Sequence, residues 1–147
     1  MVSNVFKACG PMRWEPSGWM DLIENAKAVR ENAHVPHSNF PVGAALLTDS
    51  GKMFLGCNVE NAAFPQGLCA EAGAIAAMCA AGERTISRLV VVAGSSLVTP
   101  CGGCRQKIAE FASSQTEILM VSGDLDTGWL ADFEDLLPGA FSSRDME

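Results

Sequence analysis

Cys69, Cys101 and Cys104, with Glu71 two positions after the first of them, are the residues whose types and spacing point to chemistry. Thiolates are soft ligands, and three of them close three corners of a zinc tetrahedron. A fourth corner left to water distinguishes a catalytic zinc site from a structural one, in which protein ligands fill all four. Bound zinc lowers the pKa of its water toward neutrality. A carboxylate two residues from a ligand is placed to take that proton and pass it on. Zinc-assisted hydrolysis is the chemistry these four residues imply. Cys101-Gly102-Gly103-Cys104 alone suits a redox dithiol as well as a metal. Cys69 and Glu71 move the reading to zinc, because a redox pair needs neither.

The elements that must deliver these side chains are visible as patterns. Residues 69–81 are Ala-rich and end at Gly82, which predicts a helix with its own stop signal. A second helix is expected over 101–112. Both ligand groups therefore sit at helix N-termini, where unpaired N–H groups and the helix dipole favour thiolate over thiol. Leu22, Ile23, Ala26 and Val29 mark an amphipathic helix over 19–32. Residues 42–48 and 52–58 flank the turn Asp49-Ser50-Gly51 and read as a hairpin. Strands are expected at 89–93 and 117–122, and 129–137 reads as a short strand or helix ended by Pro138-Gly139. That order implies an α/β domain over 18–147, a mixed sheet covered by helices. Residues 1–17, broken by Gly10, Pro11 and Pro16, read as an irregular arm.

Composition narrows the partners. A chain of 147 residues with 48% hydrophobic residues buries a sizeable core, and its formal charge of −7 disfavours a polynucleotide partner. No apolar run reaches signal-peptide or membrane-spanning character, so no membrane is expected and the cytoplasm is the expected compartment. The six cysteines should then be reduced thiols or ligands. Cys57 is expected to line the site and Cys79 to pack inside its helix. His34 and His37 fall outside any ligand spacing and read as surface or loop residues. No Gly-rich phosphate loop or basic cluster accompanies the motifs, which argues against a phosphorylated substrate.

A cysteine-ligated zinc beside a Glu is the signature of nucleobase deaminases, with Cys allowed in place of the first His. Phe40-Pro41-Val42-Gly43-Ala44-Ala45-Leu46, Gly56-Cys57-Asn58-Val59-Glu60-Asn61, Cys69-Ala70-Glu71, Pro100-Cys101-Gly102-Gly103-Cys104-Arg105-Gln106 and Leu136-Leu137-Pro138-Gly139-Ala140-Phe141 together resemble the cytidine deaminase family. Cys as the first ligand is similar to its short, homotetrameric branch. The resemblance implies a three-layer α/β/α fold and one Zn²⁺ per subunit held by Cys69, Cys101 and Cys104. It implies that Glu71 moves the protons in hydrolysis of cytidine, and of 2′-deoxycytidine, to the uridine and ammonia in pyrimidine salvage. Asn58, Val59 and Glu60 match the ribose-binding loop, Phe40 an aromatic against the pyrimidine, and the Ala70 N–H the group that receives the base's O2. Phe141 matches an aromatic that reaches a neighbouring subunit's site in a homotetramer. For both phenylalanines core packing is the competing reading.

Many three-cysteine relatives carry Arg directly after the catalytic Glu, and this chain has Ala72. Helix N-termini and backbone N–H groups, helped by Arg105, are then expected to offset the thiolate charge. Two other readings stand beside this one. The first is a deaminase of another small cytosine compound such as a nucleoside antibiotic, against which the sugar-binding loop argues. The second is a non-enzymatic zinc or thiol-redox module.

Overall fold

A computed structural model describes residues 18–125 and 127–146. The irregular arm expected at 1–17 lies outside the described residues. Five strands, β1 (Gly43–Thr48), β2 (Met53–Cys57), β3 (Ile86–Val92), β4 (Ala112–Val121) and β5 (Gly128–Asp132), form one sheet in the order β2-β1-β3-β4-β5. Only β3 and β4 run parallel; the other neighbours are antiparallel. The sheet is mixed, as expected.

Alternation within the central strands explains why they read as unbroken apolar runs, since both faces are covered. Ala45, Val90, Val92, Leu119 and Val121 point to one face and pack on Trp19, Leu22, Ile23 and Ala26. The last three belong to helix α1 (Met20–Arg30), whose core positions recur at the helical period. Ala44, Leu46, Leu89, Val91, Ile118 and Met120 face the other way. Against them lie α2 (Ala70–Ala80), α3 (Gly102–Ala109) and the short α4 (Phe133–Leu136). Burial of each large aliphatic side chain in these two layers stabilises the fold by roughly 1.5–3 kcal/mol.

Two glycines set how closely the helices approach. A Cβ on Gly43 would collide with the Ala26 carbonyl and Arg30 Cβ on α1, and one on Gly56 would collide with the Ala70 carbonyl and Ala74 nitrogen on α2. The register then gathers one end of the sheet. Gly43 pairs with both Cys57 and Val92, so the start of β1 and the C-terminal ends of β2 and β3 lie together. The chain leaving β2 leads to α2, and the chain leaving β3 leads to α3. Both helix N-termini therefore come to that end, where open α/β sheets place their crevices.

Several boundaries differ from expectation, and β3 starts at Ile86 instead of 89. Helix α3 stops at Ala109 instead of 112, and β4 starts at Ala112 instead of 117. The Phe111 carbonyl accepts the Ile86 N–H at 2.9 Å, which turns the chain into the sheet. The segment over 129–137 resolves into a strand and then a turn of helix, β5 followed by α4.

Candidate metal centre and its cavity

Cys69 is the N-cap of α2, Cys101 is the N-cap of α3, and Cys104 lies in the first turn of α3. Their three sulfur atoms lie within 4.8 Å of one another, with Cys69 Sγ and Cys101 Sγ 4.0 Å apart. Zn–S bonds of about 2.3 Å in a tetrahedron require S···S separations of about 3.8 Å. Small inward movements bring three thiolates to that spacing, so the donor set fits zinc in number, kind and distance. Cys69 and Cys101 are exposed and Cys104 is buried. The cluster thus presents an open side. Cys57 is not part of it, and Cys79 is half-buried against the core.

Glu71, only 5% exposed, sits in the first turn of α2 with Oε2 receiving the Cys104 thiol at 3.6 Å. Burial pushes its carboxyl above the ordinary value, while its own backbone N–H, the Cys104 thiol and the charge of Lys107 pull it down. Burial likewise pushes the Cys104 thiol far up, and the nearby Glu71 and Cys69 charges add to the rise. Cys69 is raised for the same leading reason. Cys101 goes the other way, lowered chiefly by a hydrogen bond from the Cys104 backbone. Two thiols and a carboxyl that resist ionising beside a third thiol are what a cation among the sulfurs would relieve.

A cavity of about 230 Å³ opens onto this cluster, lined by Phe40, Asn58, Cys69, Ala70, Glu71 and Cys101 among others. Six of the ten sequence-predicted residues therefore meet in one hollow. Ala70 is the first residue of α2, so its N–H has no partner within the helix. Glu60 lines a second hollow of about 320 Å³ with His37, Ser38, Asn61, Phe64 and Gly67. Val59 is half-exposed and contributes backbone, exchanging bonds with Leu68 at 2.9 and 2.8 Å.

Asn58 and Glu60 do more than face a cavity. The Asn58 side chain receives the Val42 N–H at 2.8 Å and donates to the Phe40 carbonyl at 2.9 Å. One amide hydrogen and one lone pair remain for other partners. Glu60 Oε1 accepts the backbone N–H groups of His37 at 2.9 Å and Ser38 at 3.1 Å. The Ser38 hydroxyl is the largest influence holding the Glu60 carboxyl below its ordinary value, and the His37 and Ser38 N–H groups add to it.

Phe141 lies apart from the sulfur cluster, 59% exposed, with its carbonyl tied to Gln106 Nε2 at 2.9 Å. Arg105 is engaged elsewhere than its expected role would need. Its guanidinium donates to the Pro100 carbonyl at 2.9 Å, the Leu136 carbonyl at 2.8 Å and Thr99 Oγ1 at 3.1 Å. It pins the loop before α3 to the C-terminal segment. Lys107 is the cation Glu71 feels. His37 is an exposed loop residue, as expected, but Ser38 was passed over; a Ser two positions before an aromatic, the spacing of a side-chain-to-backbone turn, is the one local signal for it.

A family model described as the cytidine and deoxycytidylate deaminase zinc-binding region matches residues 19–120. The cytidine deaminase of Sporosarcina psychrophila is 44% identical over 128 residues, covering 85% of this chain and 92% of that protein. That of Halalkalibacterium halodurans is 40% identical over 128 residues, covering 85% and 95%. Among solved structures, cytidine deaminase from Burkholderia pseudomallei matches with a TM-score of 0.78 at 43% identity, covering 82% of this chain and 97% of that one. The Mycobacterium tuberculosis enzyme matches with a TM-score of 0.74 at 37% identity, covering 85% and 98%.

Proposed function

The chain belongs to the cytidine and deoxycytidylate deaminase family, and from that membership we infer a zinc-dependent hydrolase that converts cytidine to uridine and ammonia. The observation that carries this reading is the juxtaposition of three sulfurs within 4.8 Å with a buried Glu71 3.6 Å from one of them. Cys69, Cys101 and Cys104 would hold the zinc. Bound there, the ion supplies Lewis acidity that makes water a nucleophile near neutral pH.

The remaining chemistry falls to side chains and backbone. Glu71 takes a proton from the attacking water and delivers it to the ring nitrogen, then carries the second proton of that water to the departing amine, which leaves as ammonia. Its burial suits this work, since a carboxyl raised toward neutrality exchanges protons more readily in both directions. The Ala70 N–H, free at the start of α2, holds the base's O2. Phe40 packs against the pyrimidine from across the same cavity. Asn58 and Glu60, with Val59 between them, offer the ribose a spare amide hydrogen and a second carboxylate oxygen. A donor and an acceptor together suit a sugar hydroxyl.

The substrate range includes 2′-deoxycytidine, and the setting is cytoplasmic pyrimidine salvage. Neither described hollow is lined by lysine or arginine, which supports a free nucleoside. The active form is a homotetramer, in which the exposed Phe141 reaches a neighbouring subunit's site.

Loss of cytosine absorbance with cytidine, on zinc-loaded protein with and without chelator, tests the activity. Glu71→Gln should keep its zinc and lose turnover. A wild type that binds no zinc, or a Glu71→Gln variant that still deaminates cytidine, would overturn the reading.

A further inference from the structure

The 34–42 segment has no regular structure of its own, yet nearly every turn of it is tied to 58–60. His34 N–H donates to the Asn58 carbonyl at 3.0 Å, Glu60 N–H to the His34 carbonyl at 2.8 Å, and Asn58 N–H to the Val42 carbonyl at 3.2 Å. Side chains complete the attachment at two points. Glu60 Oε1 takes the His37 and Ser38 N–H groups, and the Asn58 amide takes the Phe40 carbonyl and Val42 N–H.

Ser38 stands between these points. Its N–H goes to Glu60 at 3.1 Å, and its Oγ accepts the Phe40 N–H at 3.1 Å. Asn39, between them, adopts a left-handed φ of 52°, so the step from Ser38 to Phe40 is a tight turn. The Phe40 peptide is therefore held on both sides, its N–H by Ser38 and its C=O by Asn58. Phe40 itself is 43% exposed, so core packing does not fix its ring. Hydrogen bonds to its backbone decide where that ring stands.

We propose that Ser38 is a positioning residue that ties Glu60 to Phe40, so that the sugar-binding carboxylate and the aromatic beside the base are set by one connected turn. The proposal rests on the reading above, in which Phe40 packs against the base and Glu60 meets the sugar. Ser38 touches neither substrate nor metal and acts through Phe40. Removing its hydroxyl leaves the Ser38 N–H on Glu60 in place, frees the Phe40 N–H and withdraws the hydroxyl's influence from the Glu60 carboxyl. The effect should then appear in how well the ring is placed.

The test measures kcat/KM for cytidine on zinc-replete wild type, Ser38→Ala, Ser38→Thr, Phe40→Ala and the Ser38→Ala/Phe40→Ala double variant. Ser38→Ala should lower kcat/KM about fivefold, the scale of one lost orienting hydrogen bond, with zinc content and Tm unchanged. Ser38→Thr, which keeps the hydroxyl, should restore it. In the Phe40→Ala background, Ser38→Ala should cost a clearly smaller factor than it does in the wild type. A Ser38→Ala variant equal to wild type, or one losing the same factor in both backgrounds, would overturn the proposal alone. A Phe40→Ala variant with undiminished kcat/KM would overturn the reading of Phe40 and the proposal with it.

Discussion

Cys69 Sγ stands 4.0 Å from Cys101 Sγ although 32 positions separate the two residues. Each caps its own helix, and α2 and α3 pack side by side, so helix packing and not loop conformation sets the distance. Ligands held by rigid elements make a pre-organised site. Wild type should bind one zinc per chain by elemental analysis. Cys101→Ser should keep its helical content while losing most of its zinc and more than about a hundredfold in activity, since even indirect changes to a metal's surroundings cost up to that much. A variant that retained stoichiometric zinc would remove Cys101 from the ligand set.

Gly56 is where β2 meets α2, and its missing Cβ is what lets Cys69 and Glu71 reach the sheet end. Gly56→Ala forces the strand away from the Ala70 carbonyl and the Ala74 nitrogen. Neither backbone atom can swing aside as a side-chain tip does. The expected loss is about 1–3 kcal/mol in urea unfolding, the range for overpacking, together with weaker zinc retention. Unchanged stability would mean that the contact relaxes freely.

Much of this architecture is legible before any coordinates. The N-caps at Cys69 and Cys101, the amphipathic stripe from Leu22 to Ala26 and the hairpin around Gly51 all follow from local pattern. The start of β4 does not, because Ser113, Ser114 and Gln115 are polar and exposed. They join a strand because buried Thr116 receives the Ser113 N–H at 2.8 Å and donates to the Ile86 carbonyl at 2.6 Å. The 34–42 segment is opaque for a related reason. Its order depends on bonds from Glu60, 23 positions from His37, and periodicity carries no trace of such pairings. Arg105 shows the same limit, since its charge suggested the metal while its geometry ties the loop before α3 to the end of α4.

Asn39 supplies a local test of the turn beneath Phe40. A left-handed φ is tolerated by Asn and Gly and resisted by β-branched residues, at about 1–2 kcal/mol per residue. Asn39→Gly should leave KM for cytidine near the wild-type value, whereas Asn39→Val should raise it several-fold. Equal KM values for the two variants would show that the backbone there is not under this constraint.

Glu60 gives the loop a pH dependence whose sign is fixed. Its carboxyl lies below the ordinary value because of the Ser38 hydroxyl first, then the His37 and Ser38 N–H groups. A depressed folded pKa means the stabilisation is fully present above the unfolded glutamate value of about 4.3 and is lost as pH falls through the lower folded value. The His37 and Ser38 amide resonances should therefore titrate together, with an apparent pKa below that of a free glutamate. In Glu60→Gln the titration should vanish. A midpoint above 4.3 would contradict the direction of the shift.

Charge balance at the metal centre leads to Lys107. Three thiolates outweigh the charge of one zinc, and Ala72 brings no compensation. Arg105 is committed to Pro100, Leu136 and Thr99. Lys107 lies one turn beyond Gly103 on α3, and helical side chains lean toward the N-terminus. Its Nζ accordingly lies 3.7 Å from the position a Cβ would take on Gly103, within the turn that joins Cys101 to Cys104. An exposed ammonium there is screened by water, so its contribution is modest. Lys107→Met should weaken zinc retention about two- to fivefold in competition with a chelator, and Lys107→Arg should preserve it. High salt should narrow the difference between wild type and Lys107→Met, because screening already removes part of what the substitution takes away. Identical retention in the two proteins at low salt would leave the helix N-termini as the source of the balancing field.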